Sequence, residues 1–359
     1  MRFIKIATVL GLVLTISGLT IAQSGGGFEI RKSVISNGGG RTTGGSFALT
    51  GTIGQTAADT APATGGSFTV QSGFWGAGSG TPPPSARTRF DFDGDGHADV
   101  AVYRPSDNNW YLSLSQAGYQ FRNFGQAGDM PTPADYDGDG KTDIAVWRPS
   151  DGNWYIINSG LNTFVSVPWG VGGDIPVPAD YDGDHKADIA VFRPSDGTWY
   201  RILSQQGYSF VNFGVAGDKP QIGDFDGDEK VDMTIYRPSD GTWYLLGTLG
   251  SFTALNWGIA GDIPVPADFD GDGKTDQTIF RPSTGEWYVF KSTGGITGIS
   301  WGQNGDLPAP ADYDGDGKAD FGIYRPSTAT WWLFKSQDGI SGQYFGDVND
   351  KPIPNAFVY

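Results

Sequence analysis

Between Arg87 and Tyr359 the apolar positions fall in short runs cut by glycine, proline and aspartate, and no stretch sustains the 3.6-residue period of an amphipathic helix. Ile144-Ala145-Val146-Trp147, Trp154-Tyr155-Ile156-Ile157 and Phe164-Val165-Ser166-Val167 each read as a strand. The turn Arg148-Pro149-Ser150-Asp151-Gly152 separates the first two. Trp169-Gly170 then leads through Gly173-Asp174 into Ile175-Pro176-Val177-Pro178-Ala179, a fourth run whose prolines mark it as irregular or exposed on one side. The pattern predicts four short antiparallel strands.

The same pattern recurs. An acidic run of the form D-[FY]-D-G-D-x-x-x-D begins at Asp91, Asp135, Asp180, Asp224, Asp268 and Asp312, at spacings of 44, 45, 44, 44 and 44 residues. A fixed period of this length marks one supersecondary unit that stacks on its neighbours. Four strands per unit, repeated radially, give an all-β, six-bladed β-propeller with one acidic loop per repeat. The last copy breaks off at Ile353-Pro354-Asn355-Ala356, with Ala356 in the place of the first loop aspartate. The end of the chain is therefore expected to join the sheet opened at its beginning. A seven-bladed ring is the alternative, and it requires a whole blade from the N-terminal segment.

Each loop places aspartates at positions 1, 3, 5 and 9. These are Asp91, Asp93, Asp95 and Asp99; Asp135, Asp137, Asp139 and Asp143; Asp180, Asp182, Asp184 and Asp188; Asp224, Asp226, Asp228 and Asp232; Asp268, Asp270, Asp272 and Asp276; and Asp312, Asp314, Asp316 and Asp320. So many like charges in so few residues are costly unless a hard cation shares them. Glycine at position 4 permits the bend, and a carbonyl at position 7 adds a further oxygen. Position 12 is Val102, Val146, Val191, Ile235, Ile279 or Ile323, where a helix-flanked calcium loop carries glutamate. A strand leaves the loop, so the expected role is a structural staple holding up to six Ca2+ ions. Magnesium suits such a flexible all-protein oxygen cage less well. Position 6 is glycine in four copies but His185 and Glu229 in two, and these two loops are expected to bind most weakly.

Composition sharpens this reading. The chain has 359 residues, 56 glycines, 22 prolines, no cysteine and two histidines, His97 and His185, in different loops. Disulfides and a zinc cluster are therefore excluded. The formal charge of −16 argues against nucleic acid, but six divalent cations add +12 and take it to −4. Residues 1–22 pair Arg2 and Lys5 with a mostly apolar run and end in Thr20-Ile21-Ala22, a secretory signal pattern too short for a confident span. An uncleaved anchor is the alternative. The expected location is secreted or on a bacterial cell surface, where millimolar calcium fills weak sites.

Residues 23–79 form a Gly/Ser-rich segment, either a small β unit or disordered, in which Gly44-Gly45-Ser46-Phe47 returns as Gly65-Gly66-Ser67-Phe68. Phe47, Leu49, Phe68 and Val70 alternate as in a hairpin. A Pro-rich linker, 80–86, precedes the calcium-stabilised propeller at 87–359.

Three further positions repeat in step with the loops. Arginines stand at 104, 148, 193, 237, 281 and 325, tryptophans at 110, 154, 199, 243, 287 and 331, and aspartates at 129, 174, 218, 262, 306 and 350. Repetition in every unit points to residues that hold blades together: buried tryptophans, and arginines paired with a carboxylate or turn carbonyl. A ring of solvent-facing tryptophans that stack on glycans is the alternative.

Phe124-Gly125, Trp169-Gly170, Phe213-Gly214, Trp257-Gly258, Trp301-Gly302 and Phe345-Gly346 precede the Gly-Asp turns or their equivalents. With the loops and the unit length, these resemble bacterial FG-GAP or VCBS-like repeats, relatives of the integrin alpha-subunit propeller. The resemblance covers about Arg87 to Tyr359. It implies a calcium-loop propeller in extracellular adhesion or ligand binding. The units are shorter than in integrins, and six are complete where the integrin ring has seven.

No Ser-His-Asp set, metal-hydrolase histidine cluster or nucleotide loop is present. The reading is a monomeric calcium-binding module that engages an extracellular protein or glycan, with no membrane span once the signal is cleaved. A structural scaffold is the second reading. An enzyme, glycan-active if any, is the least favoured.

Overall fold

Burial sorts the strands of each unit. Ile144–Arg148 is buried on both faces up to its arginine, and Asn153–Ile157 alternates, with Trp154 and Ile156 inward. Phe164–Pro168 is almost wholly exposed. β-branched and aromatic residues fill the two middle strands, as a sheet covered on both faces requires. The computed structural model describes residues 88–355 and Phe357, together with strand backbones between 24 and 70. The leader and the Pro-rich linker lie outside the described residues. Two units separate, 1–83 and 84–359. In the first, Gly40–Gly44 pairs with Phe47–Gly51, and Ala63–Gly65 with Phe68–Val70.

The second unit is a six-bladed β-propeller of four-stranded antiparallel sheets. One feature departs from the sequence reading. Ile175–Pro176 does not close the sheet of its own repeat; it pairs with the next repeat, Ile175 opposite Phe192 and Pro176 opposite Val191. Sheet and repeat are thus offset by one strand. Each short proline-bearing strand is buried at one edge of the following blade, where proline's missing N–H breaks no interior ladder.

The offset closes the ring. Blade 1 comprises Lys351–Pro352, Val100–Arg104, Asn109–Leu114 and Gly118–Asn123, so the last strand of the chain supplies the first strand of the first sheet. Lys351 lies opposite Tyr103 and Pro352 opposite Val102. Arg104 fixes the seam, donating from Nε to Asp350 Oδ1 at 2.7 Å and through a second nitrogen to Oδ2 at 2.8 Å. The same bidentate pair recurs in every blade: Arg148–Asp129, Arg193–Asp174, Arg237–Asp218, Arg281–Asp262 and Arg325–Asp306. The aspartates are buried and the guanidiniums partly so, which favours this planar two-point fork.

The repeated tryptophans are core residues. Trp110, Trp154, Trp199, Trp243, Trp287 and Trp331 are buried, and each indole N–H donates to the carbonyl of the Phe-Gly or Trp-Gly aromatic, at 2.8–3.1 Å. The structural expectation holds, and the solvent-facing ring does not exist at these positions. The following glycine is required: at Gly258, with φ of 140°, a Cβ would lie 2.5 Å from the Tyr236 hydroxyl.

One core position breaks the pattern. Where the other blades have Leu112, Ile156, Leu245, Val289 and Leu333, blade 3 has Arg201, 9% exposed. One of its terminal nitrogens donates to Ser209 Oγ, the guanidinium lies over the Tyr181 ring at 5.0 Å, and Nε has no partner. Burial pushes its pKa down. A buried charge without an ion pair is costlier than the leucine its sister blades use. Arg201→Leu is expected to stabilise the propeller by about 1–3 kcal/mol. Urea unfolding monitored by fluorescence checks this, and an unchanged or lower midpoint refutes it.

Candidate metal centres

Each acidic loop leads into the second strand of its blade, and its conformation follows from its first aspartate. Asp91 Oδ1 accepts the N–H of Gly94 at 2.6 Å, and Oδ2 accepts the N–H of Gly96 at 2.8 Å. Asp312 makes the same pair with Gly315 and Gly317. These local side-chain-to-backbone bonds bend the loop back on itself. The ninth residue ties it to the blade. Asp99 accepts from Phe92 N at 2.7 Å and from Ser115 N at 2.7 Å, in the turn between the third and fourth strands. The pairing repeats through Asp143 with Tyr136 and Ser159, Asp188 with Tyr181 and Ser204, and Asp320 with Tyr313 and Ser336.

Positions 1, 3 and 9 thereby converge. Asp91, Asp93 and Asp99 each bring a carboxylate oxygen within 4.8 Å of the others. So do Asp135, Asp137 and Asp143; Asp180, Asp182 and Asp188; Asp224, Asp226 and Asp232; and Asp268, Asp270 and Asp276. A sixth cluster brings the described total to six, and Asp312, Asp314 and Asp320 occupy the same positions in the last loop. The position-5 aspartates stand outside these trios. Asp95 receives the Ser115 hydroxyl at 2.8 Å and His97 N at 2.9 Å, and Asp316 receives Ser336 Oγ at 2.6 Å and Lys318 N at 2.9 Å. They also brace the loop against the strand turn.

The third position carries the decisive detail. One oxygen of Asp314 accepts the N–H groups of Gln337 and Asp338, both at 2.9 Å, while Oδ1 is buried with no partner. Asp182 has the same split: Oδ2 accepts Gln205 N at 2.9 Å and Oδ1 is orphaned. The two residues are 5% and 6% exposed. Asp93, Asp226 and Asp270 also hold a buried, unpartnered Oδ1. A buried carboxylate oxygen left without a donor is costly, and its repetition in five loops fits a ligand that arrives from outside the chain. The donor set is all oxygen, which suits a hard divalent cation.

The loops also touch one another. The position-8 N–H of each loop donates to the position-1 carbonyl of the preceding loop: Thr142 to Asp91, Ala187 to Asp135, Val231 to Asp180, Thr275 to Asp224, Ala319 to Asp268 and Ala98 to Asp312, all at 2.6–2.8 Å. These six bonds run unbroken around the ring. The position-7 side chain follows the same path, and Lys274 Nζ donates to Asp226 O at 2.7 Å.

Electrostatics follow from the geometry. Burial raises the ninth aspartates to about 6 at Asp99, Asp143, Asp188, Asp232 and Asp276, and to about 7 at Asp320, with the neighbouring carboxylates adding to it. Burial likewise raises Asp91, Asp224, Asp268 and Asp312.

Among comparisons with known proteins, the family described as FG-GAP-like repeat matches residues 135–191, somewhat more than one of the six units. No curated protein matches the chain. Solved structures that it resembles include a streptogramin B lyase, at 10% identity and a TM-score of 0.47 over 74% of this chain and 85% of that one. Another is virginiamycin B lyase from Staphylococcus aureus, at 9% identity and 0.46, covering 72% and 87%. A third is an Agrocybe aegerita lectin that recognises non-reducing terminal N-acetylglucosamine, at 17% and 0.46, covering 72% and 76%. At these identities no chemistry transfers to this chain.

The expectation against catalysis is corrected here. The chain gathers clusters of partly buried carboxyls, and burial raises Asp320 to about 7, an environment that catalytic acids also use. Sequence motifs missed this because a raised acid is created by burial and by neighbours distant in the chain.

Two predictions follow from the loops. In the metal-free protein, an acid raised from 3.8 to about 6 binds more protons folded than unfolded between those values, so its contribution to stability falls as pH rises through that window. A bound cation holds the same carboxylates ionised and reverses the sign. Melting temperatures from pH 4 to 7 are thus expected to show opposite slopes with chelator and with calcium; parallel slopes refute the assignment. Separately, His185 and Glu229 hold positive φ of 68° and 67° where the other loops use glycine. His185→Gly is expected to stabilise the calcium-loaded protein by about 1 kcal/mol. A drop in urea midpoint contradicts this.

Proposed function

We propose that this chain is an exported, calcium-stapled propeller that binds an extracellular protein or glycan. The observation that carries the calcium reading is the orphaned Oδ1 of Asp182 and Asp314, buried beside two further carboxylates within 4.8 Å for Asp182. In each loop the aspartates at positions 1, 3 and 9 would hold the ion, with the position-5 aspartate bracing them. A divalent cation supplies the positive charge that lets the trio stay ionised in its buried setting. Oxygen donors on flexible loops favour Ca2+ over the smaller, more strictly octahedral Mg2+.

Export rests on the signal-like residues 1–22 and on the fit between weak surface loops and extracellular calcium. Among the described residues no helix is long and apolar enough to cross a membrane. The binding role is supported by the rim strands. Tyr119, Phe121, Phe164, Tyr208, Phe210, Phe252 and Tyr344 are each at least three-fifths exposed, an unusual density of aromatic surface.

Calorimetric titration of the chelated protein with calcium tests the staple. Uptake of several ions per chain and a rise in melting temperature of about 10 °C or more are expected. No heat and no change in melting overturn the reading. Screening the loaded protein against glycans and extracellular proteins then separates a binding module from a scaffold.

A further inference from the structure

The six junctions between blades reuse the same positions, so an exception identifies itself. On the face that each blade turns to its predecessor, the fifth residue of the third strand is Ile157, Ile202, Leu246, Phe290 or Phe334 in blades 2–6. These side chains plug the junctions: Phe290 packs on Trp257 and Phe334 on Trp301, both at 5.5 Å between ring centres. Blade 1 has Ser113 there. At this junction, where blades 6 and 1 meet at the seam of the ring, a cleft of about 270 Å³ opens.

Its walls are mixed. Ser113 and Ser115 come from blade 1; Lys335, Ser341 and Gln343 come from blade 6; Leu114 and Leu333 add an apolar lining. Hydroxyl and carboxamide groups both donate and accept, which matches vicinal hydroxyls, while the two leucines are almost fully buried and close the floor. Charged ligands fit less well. Lys335 is already paired with Asp338 at 3.3 Å, the Ser115 hydroxyl already donates to Asp95, and the chain is strongly acidic. We propose that the seam cleft binds one neutral sugar unit at the end of a glycan.

Two acidic loops frame this site. Ser115 is held by Asp95 and Asp99 of the first loop, and Tyr313 of the last loop lines the cleft. Ala98, also in the wall, donates its N–H to the carbonyl of Asp312 across the seam at 2.7 Å. Sugar binding therefore depends on calcium through the walls, without the ion touching the ligand. This dependence rests on the calcium reading above; the cleft itself does not.

The test uses the whole chain with methyl α-glucoside, methyl α-galactoside and methyl α-mannoside as probes, followed by ligand-observed NMR with and without chelator. At least one glycoside is expected to bind the calcium-loaded protein with a millimolar or tighter Kd. Ser113→Ile installs the residue that blades 2 and 3 carry at this position, and should weaken binding by about tenfold or more with calcium uptake unchanged. Gln343→Ala, on the exposed rim strand, should weaken it several-fold and serves if the first variant folds poorly. Failure of all three glycosides to bind the loaded wild type overturns the site, as does wild-type affinity in both variants. Binding that Ser113→Ile abolishes but chelation leaves intact upholds the cleft and rejects its calcium dependence.

Discussion

Three carboxylates held within 4.8 Å of one another, partly out of water, are the constraint around which this propeller is organised. Their repulsion and their burial both raise the cost of the folded state unless positive charge is supplied. The loops are not independent in bearing that cost. Each is bonded to the one before it through a position-8 N–H and a position-1 carbonyl, and the circuit closes from Ala98 to Asp312. A change in the shape of one loop is therefore passed to the backbone of the next. The acidic loops form a hoop, in which local electrostatics and ring closure are the same problem.

A second circuit runs through the sheets themselves. Because each sheet takes its first strand from the repeat before it, the chain itself ties every blade to the next, and at the seam the pairing of Lys351–Pro352 with the first sheet completes the ring. The bidentate Arg–Asp pair guards that borrowed strand in every blade, binding the turn that leads into it to the second strand. At the seam this pair joins residues 246 positions apart, Arg104 and Asp350. A loop of that length closes at only modestly greater entropic cost than a short one, so a two-residue strand reinforced by a charged fork suffices to end the ring.

Much of this was legible in the sequence because repetition multiplies a weak signal. One D-x-D-G-D run is ambiguous; six at near-constant spacing indicated the blade count, and the pairing of Lys351–Pro352 with the first sheet shows the closure. The buried tryptophans and the arginine–carboxylate pairs followed from the same reasoning, since a feature present in every blade serves the blade. The strand offset was not legible. Ile175–Pro176 sits next to its own repeat in sequence, and only hydrogen-bond register assigns it to the next sheet. Nor could spacing show that the position-5 aspartates bond to Ser115 and its counterparts, about twenty residues downstream in the chain.

The repeats also show where to look for what is not structural. In five blades the repeated arginine lies over a tyrosine, 4.1–4.6 Å from the ring centre, as with Arg148 and Tyr155. Blade 6 has Trp332 at that place, opposite Gly342 on the rim strand, and its indole is 37% exposed. Gly342 also borders the seam cleft that Ser113 leaves open. Two departures from the repeat, a tryptophan in place of tyrosine and a half-buried apolar plug reduced to a serine, thus fall in blades 6 and 1, which meet at the seam. Other departures, such as Arg201 in the core of blade 3, lie elsewhere and are bonded within their own blade. The serine lies where the propeller's last strand pairs with its first sheet, so the ring is least regular at the junction that closes it.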